Sequence, residues 1–378
     1  MLSHEPTDAP SDRAPQSPAL ERRLLLGLSA DEMRRDGLLA TIPAYRARQI
    51  SHWLYARGET SFEQMTNLPA ALRRDLASEY SLEPDPIETL ASGADDEAFK
   101  FLFRLGDGRL VESVLINTPR RRTICVSSQA GCAYGCTFCA TARMGPGRNL
   151  LPREIVSQIV AVRKHMRTLG LPETHNVVFM GMGEPLANLE HLIASLRRLE
   201  SQDGLGIGRR RITVSTVGLE PQIRALAESD VRPRLAFSLN ATTDAVRTEL
   251  MPINKKYPFR EVFLALRNYR ERTRMRVSLE YVLLDAVNDS PEDAARLVGF
   301  ATEHDFKVNL IVYNAHPAAP YQPPSAARIA SFVQAMAPVG PSVSIRYSKG
   351  RDILAACGQL STLWRDQPDT EPSKGLPA

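Results

Sequence analysis

The sequence predicts an α/β fold, with a core of parallel strands and covering helices preceded by a small helical region. Three patterns carry this. From Asn176 onward, short β-branched segments alternate with amphipathic ones of helical period, which argues for repeated strand–helix units around a parallel sheet. Between Ala98 and Val126, apolar residues recur at every second position (Phe99, Phe101, Phe103; Leu110, Val114, Ile116; Ile124, Val126), the period of strands. Residues 21–81 instead show helix starts and apolar stripes. A chain of 378 residues has room for two or three domains, or for one large α/β barrel with an appendage.

Taken in order, residues 1–20 are polar and Pro-rich, without the apolar core of a secretory signal, and read as a disordered tail. Residues 21–95 are the expected helical accessory domain. Ser29 offers an N-cap to Ala30, Asp31, Glu32 and Met33. The stretch 45–55 sets Ile50, Trp53 and Leu54 on one stripe, and a third helix is expected near 70–80. The core is expected over 96–365. Its later strands are expected at 176–180, 211–215, 234–239, 276–284, 307–313 and 342–346. Helices are expected at 152–169, 189–200, 258–273, 291–304 and 325–337. Residues 366–378 read as a second tail. No apolar run approaches the ~20 residues that span a bilayer, so a cytoplasmic protein is expected.

The chemistry is concentrated in one loop. Cys132, Cys136 and Cys139 stand in the spacing Cys-x3-Cys-x2-Cys, just past the strand expected to end near Ser127. In a parallel α/β core the ends of strands carry the active site. Three thiolates would hold three irons of a four-iron cluster and leave the fourth open to a substrate. A structural zinc would want a fourth Cys or His nearby, and the next His is His165. A disulfide framework suits small secreted chains with paired cysteines, whereas this chain has five.

Other features are plain by themselves. Gly181-Met182-Gly183-Glu184-Pro185 follows an expected strand; its glycines allow close backbone approach and its carboxylate suits an amino group. Ser215, Ser238 and Asn314 fall at expected strand ends. Cys125 ends the strand before the cysteine loop, and Cys357 lies far off in Ala355-Ala356-Cys357-Gly358. Glu112, among Val111, Val114 and Leu115, reads as a surface residue. The net charge is +4 and basic runs occur at 73–74, 120–122, 209–211 and 255–256. Such runs are ordinarily solvated faces, but together they suit tracking of phosphates.

These residues resemble the radical S-adenosylmethionine superfamily, and more closely the RlmN/Cfr family of radical RNA methyltransferases. The resemblance rests on CVSSQAGCAYGCTFCAT, GMGEPLANL, RRRITVSTVG, MPINKKYP and DILAACGQL, and covers about residues 25–365. It implies a partial (β/α)6 barrel, a [4Fe-4S] cluster on Cys132, Cys136 and Cys139, and two S-adenosylmethionine molecules per turnover. One methylates Cys357; the other binds the open iron and yields a radical that takes hydrogen from that methyl. The carbon then joins an adenine, which has no polar route to methylation at carbon 2, and Cys125 releases the product by pairing with Cys357. Glu112 matches the proton acceptor. Gly183, Glu184, Ser215, Ser238, Leu239, Asn240 and Asn314 match cofactor contacts.

Two positions depart from the family pattern. Asn240 stands where the family usually has His, and Ala315 where it usually has Pro. The implied substrate is an adenine of 23S ribosomal RNA, with transfer RNA as a further candidate. The base must leave its stack to enter, while the basic runs and helical region grip the backbone. The implied chain is a monomer served by an electron donor such as flavodoxin. Methylation at carbon 8, another RNA target, or a non-catalytic RNA-binding relative are the alternatives.

Overall fold

The computed structural model describes residues 22–362, apart from 36, 60, 83–87, 92–97, 173–175 and 318. The two expected tails lie outside the described residues. The N-terminal region holds β1 (Arg23–Leu24), α1 (Ala30–Met33), α2 (Ala44–His52), α3 (Ala70–Glu79) and β2 (Tyr80–Ser81). Ser29 caps α1 as its sequence suggested: its hydroxyl accepts the Glu32 N–H at 2.9 Å, and Glu32 accepts the Ser29 N–H at 2.6 Å. The stripe that α2 begins and the helical turn Trp53–Arg57 continues buries Ile50 and Leu54 completely. Trp53 stays half-buried, with its indole N–H on Asn67 at 2.6 Å.

This region docks on the core through two glycines. A Cβ on Gly27 would come within 2.1 Å of Arg153 Cα. Gly58, left-handed at φ 61°, ends the helical run and accepts Arg167 through its carbonyl at 2.9 Å.

The core begins with β3 (Glu88–Ala91), β4 (Ala98–Arg104), β5 (Leu110–Thr118) and β6 (Arg121–Cys125). Since β3 pairs antiparallel with β4, part of the 21–95 segment belongs to the core sheet and not to the helical domain. The strand β4 is buried along both faces as far as Phe103. Its second face carries Lys100, Leu102 and, across from Leu102, Glu112.

After the cysteine loop, with β7 (Gln129–Ala130), α4 (Ala140–Arg143) and β8 (Arg148–Asn149), the repeated units follow. They are α5 (Pro152–Thr168), β9 (Asn176–Phe179), α6 (Leu189–Glu200), β10 (Ile212–Thr216), α7 (Glu220–Glu228) and β11 (Arg234–Ser238). Then come α8 (Asp244–Leu250), α9 (Phe259–Thr273), β12 (Val277–Leu283), α10 (Pro291–His304), β13 (Lys307–Val312), α11 (Ala326–Ala335) and β14 (Val343–Arg346). The helices α7 and α8 were not apparent in the sequence, because both are short and lie in polar surroundings. Elsewhere the expected segments match to within two residues.

Among the described residues ten strands form one sheet in the order β14-β13-β12-β11-β10-β9-β6-β5-β4-β3. From β6 to β14 neighbours run parallel, and from β3 to β6 antiparallel. Six strand–helix units from β6 to α11 thus form an open barrel, with β14 as an added edge strand. Polar residues on one sheet face, including Ser278, Glu280, Asn309 and Ser344, bond to one another across β12, β13 and β14. The opposite face packs Leu279, Tyr281, Val308 and Leu310 under the helices.

Candidate active site

The strands β6, β9, β10, β11 and β13 end around one mouth, and the expected site residues gather there. The cysteine loop is closed by its backbone: Cys132 donates to the Gly145 carbonyl at 2.9 Å, and Cys139 to that of Cys136 at 3.2 Å. Cys136 is 8% exposed, and Cys132 and Cys139 are half-buried. Burial pushes the Cys132 thiol up to about 12, with further repulsion from Cys139 and Glu184. Burial and both neighbouring thiols push Cys136 well above the ordinary range. The three sulfurs therefore share one small region where thiolates need a cation to form. Among the described residues, no three His, Cys, Asp or Glu side chains converge as a single metal ion would need. A cluster takes one thiolate per iron and needs no such convergence, so this donor set fits it.

Arg247 lies behind the triad, on α8, and was missed in the sequence because that helix was itself not apparent there. It is fully buried. Its guanidinium donates to the carbonyls of Leu239 at 3.0 Å and Val217 at 2.8 Å, and to Asn254 at 2.8 Å. Burial lowers its pKa to about 10, so it stays cationic, and its charge favours the Cys136 thiolate.

Glu184 is 2% exposed. It accepts the N–H groups of Val217 at 2.8 Å and Leu186 at 3.0 Å, while its own N–H bonds to Gln129 at 2.8 Å. Burial still raises its pKa to about 7, against those donors. A carboxylate aimed and desolvated in this way fits an ammonium group. Gly183, at φ 94°, leaves no room for a side chain, since a Cβ would lie 2.4 Å from Gln129. Ser215 and Ser238 meet across β10 and β11, with hydroxyls 3.4 Å apart.

Asn240 is differently engaged. It adopts φ 56°, a left-handed conformation that Asn tolerates. Its side-chain oxygen accepts the Val282 N–H at 3.0 Å and its amide approaches Met251 sulfur at 3.4 Å. Asn288 holds its carbonyl at 2.7 Å. The side chain thus shapes the turn after β11.

Cys357 arrives on the loop after β14 and is exposed. Asn314 donates to its carbonyl at 3.3 Å and to Ser348 at 2.9 Å. Ala140 donates to the Gly358 carbonyl at 2.8 Å, Thr141 to that of Leu360 at 2.6 Å, and Gln359 to that of Ala315 at 3.0 Å. The cysteine loop and the Cys357 loop are therefore tied backbone to backbone. Cys125 is buried at the end of β6. Its thiol is pushed up by burial and then by Cys357, which places the two sulfurs within electrostatic reach.

Glu112 is not on the surface; it is fully buried. One oxygen meets the Lys100 ammonium at 3.1 Å, and the other accepts the Ser361 N–H at 3.0 Å, just beyond Cys357. Register explains the pairing: Lys100, Val114 and Cys125 stand side by side on β4, β5 and β6, with Glu112 next along β5. Lys100 was missed, although a lysine between Phe99 and Phe101 was the available signal. Lys100→Met removes the cation balancing Glu112 and should destabilise the fold by about 3–5 kcal/mol. The check is a urea midpoint. Adding Glu112→Gln should recover most of the loss.

Comparison with known proteins agrees with this architecture. Residues 126–298 match the Radical SAM superfamily, and residues 25–82 match the ribosomal RNA large subunit methyltransferase N-terminal domain. A dual-specificity RNA methyltransferase RlmN from Anaeromyxobacter sp. (strain Fw109-5) is 46% identical over 84% of this chain and 85% of its own. The chain belongs to the RlmN family. The RlmN of Geobacter sulfurreducens is also 46% identical, over 88% of this chain and 91% of its own. A solved radical SAM methyltransferase from Sphaerobacter thermophilus superposes with a TM-score of 0.85 at 44% identity, covering 89% of this chain and 99% of that one. The RlmN match extends through both the N-terminal region and the barrel.

Proposed function

We propose that this chain methylates carbon 2 of an adenine in 23S ribosomal RNA and in transfer RNA, through a methyl group carried on Cys357. As an RlmN and Radical SAM family member it is a radical S-adenosylmethionine RNA methyltransferase. The observation that carries the methyl-carrier part of this reading is an exposed Cys357 together with a buried Cys125 beside the cysteine loop. An electron carrier has no use for two further thiols at its mouth, nor has a non-catalytic RNA-binding relative.

Cys132, Cys136 and Cys139 would hold the [4Fe-4S] cluster, which when bound supplies the electron that cleaves S-adenosylmethionine. Glu184 would fix the ammonium of that molecule, helped by the Gly183 backbone. Ser215, Ser238, the Leu239–Asn240 backbone and Asn314 would line the rest. Cys357 accepts the methyl and presents it. Glu112, held between Lys100 and Ser361, would take the proton that leaves the base. Cys125, as a thiolate, then attacks the Cys357 sulfur: an S–S bond forms, the bond from Cys357 to the transferred carbon breaks, and that carbon takes up a proton to become the methyl of the released base. The helical N-terminal domain would bind RNA, a flavodoxin-like donor would supply electrons, and a monomer in the reducing cytoplasm would keep the thiols free.

Mass spectrometry of nucleosides from ribosomal and transfer RNA, with and without the gene, tests this reading. The expected product is 2-methyladenosine in both RNAs. Finding 8-methyladenosine alone would overturn the assignment of the carbon.

A further inference from the structure

We infer that the barrel end remote from the active site is a second RNA-contact surface. Arg121, Arg210, Arg234, Arg276 and Lys307 build it, and it grips phosphates of the substrate outside the segment that carries the target base. The inference rests on the reading of the substrate as RNA.

The placement follows from topology. Arg121 opens β6, Arg234 opens β11 and Lys307 opens β13, while Arg210 lies just before β10 and Arg276 just before β12. Parallel strands all begin at one end of the barrel. The cysteine loop, Glu184, Ser238 and Asn314 stand at the other. Strands of five residues or so, rising about 3.3 Å per residue, separate the two ends by roughly 15–20 Å. Two of the four basic runs of the sequence, 120–122 and 209–211, thus lie away from the mouth.

The five cations form a group. Register sets Leu235 beside Val277, and so Arg234 beside Arg276. Arg121 and Arg276 each repel both Arg234 and Lys307, and Arg210 repels Arg234. Four strands separate β6 from β13 in the sheet, so its curvature brings these side chains together across the barrel end. Four of the five are exposed and Lys307 is half-buried. None makes an ion pair among the described residues. The carboxylate that bears on Lys307 is Glu280, inside the barrel, where Ser278 and Asn309 already bond it.

Cations gathered without counter-ions repel one another, and their field recruits an anion. Arginine forks match phosphate oxygens in pairs. Exposure over several strand starts suits an extended polyanion better than one small ion. A short hairpin seated at the mouth ends before this surface, whereas a long folded RNA passes beyond it.

The test compares two substrates of the cluster-loaded protein: a minimal stem–loop bearing the target adenine, and a long ribosomal RNA fragment containing it. The variant is the triple substitution Arg121→Gln, Arg234→Gln and Arg276→Gln. Affinity for the long RNA should fall at least tenfold, and the slope of its logarithm against log salt should drop by about three, near 0.9 per phosphate contact. Stem–loop affinity and methylation should stay within twofold. The triple Arg→Lys variant, which keeps the charge, should retain the slope and guards against a folding defect. Unchanged affinity for the long RNA, equal losses on both RNAs, or an Arg→Lys variant as weak as the Gln one would each overturn the inference. A wild-type chain that methylates neither RNA would instead refute the proposed function.

Discussion

Cys125→Ala should convert the enzyme into a trap, accumulating a covalent RNA–protein adduct through Cys357, while Cys357→Ala should form no adduct and no product. Both variants should assemble the cluster normally, because neither thiol belongs to the loop of Cys132, Cys136 and Cys139. The expected readouts are a slow-migrating RNA–protein band for Cys125→Ala and complete loss of methylated nucleoside for Cys357→Ala, with unchanged iron content in each. Free release of product by Cys125→Ala would contradict its role. The geometry adds a pH dependence. Burial and the neighbouring Cys357 hold the Cys125 thiol far above its ordinary value, and the attacking species is the thiolate. Release in the wild type should therefore quicken toward alkaline pH, by up to tenfold per unit where deprotonation limits.

Cofactor affinity should fall below neutrality, with Glu184 responsible. Its pKa is raised to about 7 from an ordinary 4.5, so the free site is largely protonated at pH 6. Only the carboxylate pairs with an ammonium, so binding near pH 6 must release a proton. Affinity should weaken about tenfold per unit below pH 7 and level off above it. Calorimetry of S-adenosylhomocysteine binding, in buffers of different ionisation heat, would read both the affinity and the proton. Glu184→Gln should lose the pH dependence and about 2–5 kcal/mol of binding. Fold stability runs in the opposite sense. The folded protein binds the Glu184 proton more tightly than the unfolded chain. That contribution is therefore full below pH 4.5 and is lost as pH rises through about 7.

The barrel was legible because its strands and helices keep clean periods and sharp ends. Ser290 followed by Pro291 and Asp293, for instance, opens α10 where the sequence places it. The cysteine triad and GMGEP were legible as contiguous motifs. What stayed hidden was the set of contacts made across long sequence distances. Glu112 looked like a surface residue because its partners, Lys100 and Ser361, come from another strand and from the far end of the chain. Arg247 gave no signal in the sequence, since the carbonyls that hold it belong to distant strand ends. Asn240 looked like a weakened ligand position, but its left-handed backbone and its bond to Val282 make it part of a turn.

The tie between the cysteine loop and the Cys357 loop also has a consequence for how the protein is made. Chains emerge N-terminus first, so the nascent barrel presents Cys132, Cys136 and Cys139 long before Cys357 exists. Glu112 waits equally long for Ser361, and Ala140 for the Gly358 carbonyl. Cys357, the proposed methyl carrier, follows every other residue proposed for the site in chain order, so a nascent chain that has not yet reached it lacks the group through which it would modify RNA.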